Sequence, residues 1–221
     1  MAIQQYPIIQ SFEVCDLDHH DRLLIFTDGS SKPSMRMLEA QHADEKGHPD
    51  TWAFIVIAER YIDHNDSEIV ILGWTTHPVR YTEQGAAFMG IQRIGSDMAE
   101  RAGLISAAMW RLSLNHQIPT MICTDSDTGG KQAFGLIGVQ VPDESYKLMR
   151  SLYQAIELGL PHGALALHHT RSHMGDLFNE IADLAAKHEA EKSLNLPRQR
   201  LDLSRWRTKF CAFWTLFGHK I

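Results

Sequence analysis

The chain has few cysteines and no long hydrophobic run, and these absences argue against several classes of protein. Its three cysteines, Cys15, Cys123 and Cys211, are an odd number without a close-spaced pair. Disulfide-stabilised secreted domains and thiolate zinc sites need grouped cysteines, so neither is expected. No apolar segment reaches the length of about 20 residues that crosses a bilayer, and the first ten residues lack the features of a secretion signal. We therefore expect an intracellular protein, cytoplasmic or nuclear, without a membrane partner.

Positive charge is also in short supply. The formal net charge is -6, from 21 Lys and Arg against 27 Asp and Glu. A protein that holds nucleic acid through a broad surface does so largely by phosphate neutralisation, so this class is disfavoured. A nuclease stays compatible with the count, because carboxylates that bind divalent cations add negative charge and attract phosphate once the metals are bound.

Composition predicts one main domain with insertions. With 44% hydrophobic residues, the 221-residue chain can form one well-packed core. We expect this domain to span 22–193, between an N-terminal extension, 1–21, and a basic and aromatic tail, 194–221. Within the domain, charged or irregular segments without a clear period predict insertions near 32–50 and 77–94.

The pattern of apolar residues predicts an α/β fold in the order β-β-β-α-β-α-β-α. Apolar runs bounded by turn residues predict five strands, near 23–28, 52–58, 68–74, 120–125 and 164–169. Helical spacing predicts three helices, near 96–112, 143–158 and 179–193. Three successive strands followed by alternation imply a mixed sheet, with an antiparallel hairpin of the second and third strands and right-handed parallel crossovers afterwards.

Two predicted strands end in similar short motifs. The first runs into Thr27-Asp28-Gly29-Ser30 and the fourth into Thr124-Asp125-Ser126. We expect these strands to be adjacent and parallel, which brings both carboxylates to one end of the sheet. Gly29 would allow a tight turn or the close approach of a ligand. An isolated aspartate of this kind more often caps a turn, so the interpretation depends on the rest of the chain.

Two further acidic residues are predicted near helix starts. Glu100 lies in the first turn of the helix that begins at Ser96-Asp97, which we expect to supply the N-cap. Small apolar residues follow Glu100 on one helical face, and such a face can lie closely on a sheet. Asp183 lies near the start of the last helix. Either residue alone is more often a solvated charge that favours a helix N-terminus.

Together, these motifs resemble the type-1 ribonuclease H family, within the wider ribonuclease H-like nuclease superfamily. The matching pieces are Thr27-Asp28-Gly29-Ser30, Ala99-Glu100, Thr124-Asp125-Ser126, His173-x-Gly175 and Asn179-Glu180-x-Ala182-Asp183. Each piece is weak alone, but the set in this order is specific. The resemblance covers about residues 22–190 and implies a mixed five-stranded sheet with helices packed on both faces.

The resemblance implies a metal-dependent endonuclease that cuts the RNA strand of RNA/DNA hybrids. Two-metal phosphodiester hydrolysis uses hard oxygen ligands around two Mg²⁺ ions about 3.5–4 Å apart, and Mn²⁺ is a substitute. By resemblance, Asp28 bridges both ions, Glu100 and Asp125 complete the second site, and Asp183 holds the first. His173 then assists proton transfer or product release from a mobile loop. Substrate contacts are implied for Gly29, Ser30, Ser126 and Asn179.

The chain departs from the family on the substrate side. Gly95-Ser96-Asp97 stands where the family usually has Thr-Asn-Asn, and Asp97 is a poor neighbour for phosphate. Asp127-Thr128-Gly129-Gly130, which we expect to form a turn, replaces the usual polar or aromatic and apolar continuation. A catalytically silent ribonuclease H-like module that binds nucleic acid or protein is therefore the alternative function.

The tail, 194–221, interleaves basic and aromatic side chains. Its basic residues are Arg198, Arg200, Arg205, Arg207, Lys209 and Lys220. Basic side chains and aromatic side chains arranged in this way can bind nucleic acid. However, the aromatic residues Trp206, Phe210, Phe213 and Phe217 share one helical face, so packing on the domain or on a protein partner is the alternative interpretation.

Overall fold

The computed structural model describes residues 17–31, 50–62, 67–81, 88–114, 116–171 and 176–193. A short 3₁₀ helix, Leu17–His19, comes first. The strands are β1 (Arg22–Ser31), β2 (Asp50–Tyr61), β3 (Ser67–Pro78), β4 (Thr120–Thr124) and β5 (Leu165–His169). The α-helices are α1 (Ser96–Ser113), α2 (Asp127–Ala133), α3 (Glu144–Gly159) and α4 (Leu177–Ser193). The expected N-terminal extension before Leu17, most of the first insertion and the tail lie outside the described residues.

The five strands form one mixed sheet in the order β3-β2-β1-β4-β5. β2 pairs antiparallel with both β1 and β3, which confirms the predicted hairpin. β4 pairs parallel with both β1 and β5. The predicted α/β fold, a ribonuclease H-like mixed five-stranded sheet with helices on both faces, is therefore confirmed.

Alternation along the strands separates two hydrophobic cores. Leu23 and Ile25 of β1 point to the face covered by α1 and α3, where Leu104 and Tyr153 are buried. Phe26 points to the opposite face, where it packs against Phe178 of α4 with ring centroids 5.5 Å apart. The sheet is thus covered on both sides, as expected for central strands that are almost continuously apolar. No helix in the described part of the chain is long and apolar enough to cross a membrane.

β1 does not end at Asp28, which corrects the predicted strand boundary. It continues to Ser31 in antiparallel register with β2, where Asp28 is opposite Ala53 and Ser31 is opposite Asp50. Its parallel pairing with β4 stops earlier, at Thr27. The edge at which Asp28 emerges is therefore created by the end of β4, while β2 continues to hold the backbone of β1.

Two local predictions were wrong around the helices. α1 has Gly95 at its N-cap and Ser96 as its first residue, so Ser96 and Asp97 do not cap it. The glycine pair expected in a turn lies instead within α2, whose N-cap is Ser126. The Ser126 hydroxyl accepts a hydrogen bond from Gly129 N at 3.3 Å, which stabilises a helix start that its glycines would otherwise disfavour.

The described parts of the second predicted insertion, 77–94, include residues of β3 and of the core. Its first two residues, His77 and Pro78, belong to β3. Near its end, Met89 and Ile91 are buried in the core that α1 and α3 cover. Part of this irregular segment therefore contributes to the core beside the start of α1.

Candidate metal centre

Asp28 and Asp125 meet at the end of the parallel pair formed by β1 and β4. The last paired residues are Thr27 and Thr124, and each aspartate follows directly. Asp28 is 4% exposed and Asp125 is half-buried. Asp28, Glu100 and Asp125 each offer one carboxylate oxygen, and these oxygens all lie within 4.8 Å of one another. We call these three residues the acidic cluster.

The close contact between α1 and β1 brings Glu100 to the acidic cluster. A Cβ atom added to Gly29 would lie 2.3 Å from Glu100 N and 2.5 Å from the carbonyl carbon of Ala99. A Cβ atom at Gly103 would lie 3.4 Å from Asp28 O. The predicted close approach at Gly29 is therefore made by a helix of the same chain rather than by a ligand. Glu100 is also the fifth residue of α1, in its second turn rather than its first.

Burial and mutual repulsion favour protonation within the acidic cluster. Burial, followed by the charges of Asp125 and Asp183, raises the pKa of Asp28 to about 8. The Gly29 N–H donates to Asp28 Oδ1 at 2.6 Å and opposes this rise. Burial and the charges of Asp28 and Asp125 raise the pKa of Glu100 well above its usual range. Without a cation, burial and repulsion therefore favour the protonated forms of Asp28 and Glu100.

One oxygen of the cluster is left unsatisfied. Glu100 Oε2 is buried and has no hydrogen-bond partner among the residues that the structure describes. Leaving a buried polar atom unpaired is costly, and most buried polar atoms in proteins have a partner. An all-oxygen carboxylate set suits hard divalent cations such as Mg²⁺ and Mn²⁺. The residues present therefore fit a divalent cation, which would satisfy Glu100 and offset the repulsion.

Asp183 lies beside the acidic cluster but is not one of its three members. It is the seventh residue of α4, so it is not in the first helical turn as expected. Its charge contributes to the raised pKa of Asp28, which shows that the two carboxylates interact. Asp183 Oδ2 forms an ion pair with Lys187 Nζ at 2.6 Å. The structure thus brings three predicted carboxylates together and places the fourth nearby, paired with a lysine.

The residues predicted to contact substrate are covered, buried or hydrogen-bonded by other parts of the protein. Gly29 is covered by α1, Ser30 is buried, and Ser126 caps α2. Asn179 is 2% exposed, and its Oδ1 accepts a hydrogen bond from Thr170 Oγ1 at 2.8 Å. These placements do not test a contact with nucleic acid, which stays a prediction. His173 lies outside the described residues.

Two residues that the sequence did not single out contact the cluster or the elements that carry it. His169, the last residue of β5, has Nε2 3.2 Å from Asp125 O. Its position at the end of a strand parallel to β4 is a signal that could have identified it. Asp50 is fully buried at the start of β2. Nothing in the local sequence distinguishes Asp50 from the charged segment that precedes it.

Comparisons with known proteins return solved structures only. No protein-family model matches the chain, and no curated protein matches it. The chain is similar to the N-terminal RNase H domain of a Mycobacterium tuberculosis protein, at 18% identity and a TM-score of 0.49, over 77% of this chain and 97% of that one. RNase H1 from Halobacterium salinarum gives the same identity and TM-score, over 77% and 98% of the two chains.

A third similar structure is an RNase H1 in complex with an RNA/DNA hybrid. It is 15% identical, with a TM-score of 0.40, over 75% of this chain and 97% of that one. At such low identity and TM-score, the likeness adds nothing to what the coordinates of this chain show. The strand order, the register and the helices on both faces define a ribonuclease H-like fold.

Proposed function

We propose that this protein is a metal-dependent endonuclease that hydrolyses the RNA strand of RNA/DNA hybrids. The observation that carries the proposal is the acidic cluster at the end of the β1–β4 pairing, where one buried carboxylate oxygen lacks a partner among the described residues. Carboxylates that repel one another in this way are costly to bury unless a cation joins them. The resemblance to ribonuclease H motifs supplies the substrate class.

The roles of the chain's own residues follow from their positions. Asp28, Glu100 and Asp125 would hold divalent cations, and Asp183 would contribute from α4. When bound, such cations supply an activated water and neutralise charge on the phosphate. The Gly29 N–H orients Asp28 Oδ1, and the close packing of α1 on β1 fixes the position of Glu100. Lys187 forms an ion pair with Asp183, and a cation bound by Asp183 would replace that pairing.

One observation favours the second candidate, a silent nucleic-acid or protein binding module. Lys187 already supplies Asp183 with a cation from the protein, so one of the four proposed ligands is neutralised. A silent module would be expected to neutralise its remaining acids in the same way. Glu100 Oε2 has no such partner in the described part of the chain, and this favours the enzyme.

A cleavage assay on four substrates tests the proposal. Labelled RNA/DNA hybrid, duplex DNA, duplex RNA and single strands are incubated with the protein in Mg²⁺, in Mn²⁺ and in a chelator. We expect endonucleolytic products only from the RNA of the hybrid, and only with a metal. Asp125→Asn should abolish these products, whereas Asp127→Asn, at an exposed carboxylate two residues away that pairs with Lys131, should leave the rate within about twofold.

Two outcomes would contradict the enzyme. Undiminished cleavage in the chelator would show that cleavage does not depend on a metal. Binding of the hybrid without cleavage in any metal would support the silent module instead.

A further inference from the structure

A buried carboxylate outside the acidic cluster joins the elements that carry it. Asp50 is the first residue of β2, and it is 0% exposed. Its Oδ2 accepts hydrogen bonds from Tyr81 OH at 2.6 Å and from Gly95 N at 2.6 Å. Its Oδ1 accepts a hydrogen bond from the Ser31 hydroxyl. Both oxygens are thus occupied by donors from other parts of the chain.

The donors to Asp50 lie close in sequence to the proposed metal ligands. Ser31 ends β1, three residues after Asp28. Gly95 is the N-cap of α1, five residues before Glu100. A single carboxylate therefore links the strand that carries Asp28 to the helix that carries Glu100.

The start of α1 depends on Asp50 for its position. Gly95, the N-cap residue, has no side chain that could cap α1, and its buried N–H donates to Asp50 Oδ2. Movement of α1 toward β1 is blocked, because Gly29 is already in close contact with the Glu100 backbone. Movement away from β1 would have to break the Asp50 bond. The helix is thus held from both directions near Glu100.

We propose that Asp50 is a positioning residue for the metal centre, setting the separation of Asp28 and Glu100 by tying Ser31 to Gly95. The inference rests on the proposed function for the role of the cluster. Metal ligands must be held within a fraction of an ångström of productive geometry, so the loss of such a tie weakens metal binding even when the fold survives. Asp50 does not contact the metal or the substrate in this role.

The opposite end of α1 offers a matched control. Arg111 is 4% exposed, and its Nε donates to Thr120 Oγ1 at 2.7 Å. One of its terminal nitrogens donates to His116 O at 2.8 Å and to Ile118 O at 3.0 Å. Arg111 is thus a second buried, charged anchor of the same helix, but at the end remote from Glu100.

The test measures Mg²⁺ binding in the full chain by two readouts. The first is the Mg²⁺ concentration at half of the maximal rise in the thermal unfolding midpoint, and the second is the half-saturating Mg²⁺ concentration for hybrid cleavage. Asp50→Ala and Arg111→Met should both lower the unfolding midpoint. Asp50→Ala should raise both half-saturation values about tenfold, whereas Arg111→Met should leave them within about twofold.

Asp50→Asn should restore Mg²⁺ binding to within about threefold of the wild type. Its Oδ1 can accept from Tyr81 and Gly95 while its amide donates to the Ser31 hydroxyl oxygen, so the tie is kept without the charge. If Asp50→Ala does not fold, Tyr81→Phe and Ser31→Ala remove one donor each, and each should raise the half-saturation value about threefold.

Equal effects of Asp50→Ala and Arg111→Met on Mg²⁺ half-saturation would overturn the proposal, as would an Asp50→Ala value within twofold of the wild type. Unchanged Mg²⁺ binding in both single-donor variants would do the same. A wild-type protein that is stabilised by Mg²⁺ but cleaves no nucleic acid would refute the proposed function alone, and the thermal readout would still decide the role of Asp50. A wild-type protein without any Mg²⁺ stabilisation would overturn both.

Discussion

Each end of α1 buries an ionisable side chain, but only the one near the C-terminal end is surrounded by groups that stabilise its charge. Near its C-terminal end, Arg111 is surrounded by three acceptors that occupy its Nε and one terminal nitrogen. Near its N-terminal end, Glu100 faces two other carboxylates, and its Oε2 has no partner in the described part of the chain. Burial opposes charge at both ends, lowering the pKa of Arg111 and raising the pKa of Glu100.

This difference separates a structural charge from a candidate functional one. A buried charge that the protein satisfies itself serves folding, because its hydrogen bonds offset the cost of desolvation. A group of like charges that the protein leaves unsatisfied lowers stability, and such costs are typical of sites that bind a ligand. A cation from solution would complete the acidic cluster, whereas the protein's own acceptors already complete Arg111.

The largest expected effect is the loss of hybrid cleavage when the Asp28 carboxylate is removed from the acidic cluster. Asp28→Asn should reduce hybrid cleavage by about 10³-fold or more, because one of the proposed metal ligands is lost. Binding of the hybrid should be preserved or tightened, since repulsion toward phosphate falls. Single-turnover cleavage and filter binding measure the two effects. Cleavage by Asp28→Asn at the wild-type rate would refute the assignment of this residue.

A smaller effect, on stability and on Mg²⁺ binding, is expected from a substitution that pushes α1 away from β1. Gly29→Ala should destabilise the fold by about 3 kcal/mol and weaken Mg²⁺ binding, because the new methyl group overlaps the backbone of Glu100. Gly159→Ala is the control, since a Cβ atom there meets nothing within 4 Å. Urea unfolding compares the two variants. A Gly29→Ala protein as stable as Gly159→Ala would contradict the close contact.

The sequence-based role of His173 predicts an effect on turnover. His173→Ala should slow hybrid cleavage by about 10²-fold without abolishing it, because a general acid or a product-release residue assists the metals and does not replace them. Turnover at saturating Mg²⁺ across pH 6 to 9 is the measurement. An unchanged rate over that range would leave His173 as a loop residue of the motif.

The smallest effect concerns stability without metal. The folded-state pKa of Asp28 is about 8, against about 3.9 for an unfolded chain. The folded protein therefore binds the extra proton between these values, and its stability falls as pH rises through that window. In a chelator, Asp28→Asn should match the wild type near pH 4 and be about 2 kcal/mol more stable near pH 8.

Chemical denaturation at several pH values checks this last prediction. At pH 8, added Mg²⁺ should raise the free energy of unfolding of the wild type more than that of Asp28→Asn. A stability difference that does not change with pH would show that the charge of Asp28 is not the cause.

Much of the fold follows from patterns that are local in sequence. Apolar runs such as Leu23–Phe26 and Trp52–Ala58 locate the strands because side chains alternate across a sheet and both faces here are covered. The Thr-Asp pairs at the ends of two such runs located Asp28 and Asp125, because parallel strands that are neighbours end at the same edge. Errors arose where backbone contacts between distant segments overrode local signals, as at the N-cap of α1.

The sequence by itself determined the order of the five strands and the three longer helices, the sheet class and the carboxylates that share one end of the sheet, but it missed the short helix α2. Only the tertiary structure decided that α1 occupies the space at Gly29 and that Asp50 joins β1 to α1. The physical reason is distance along the chain: periodicity and turn chemistry act over a few residues. The hydrogen bond from Gly95 to Asp50 instead spans 45 residues and exists only after the sheet and helix have packed.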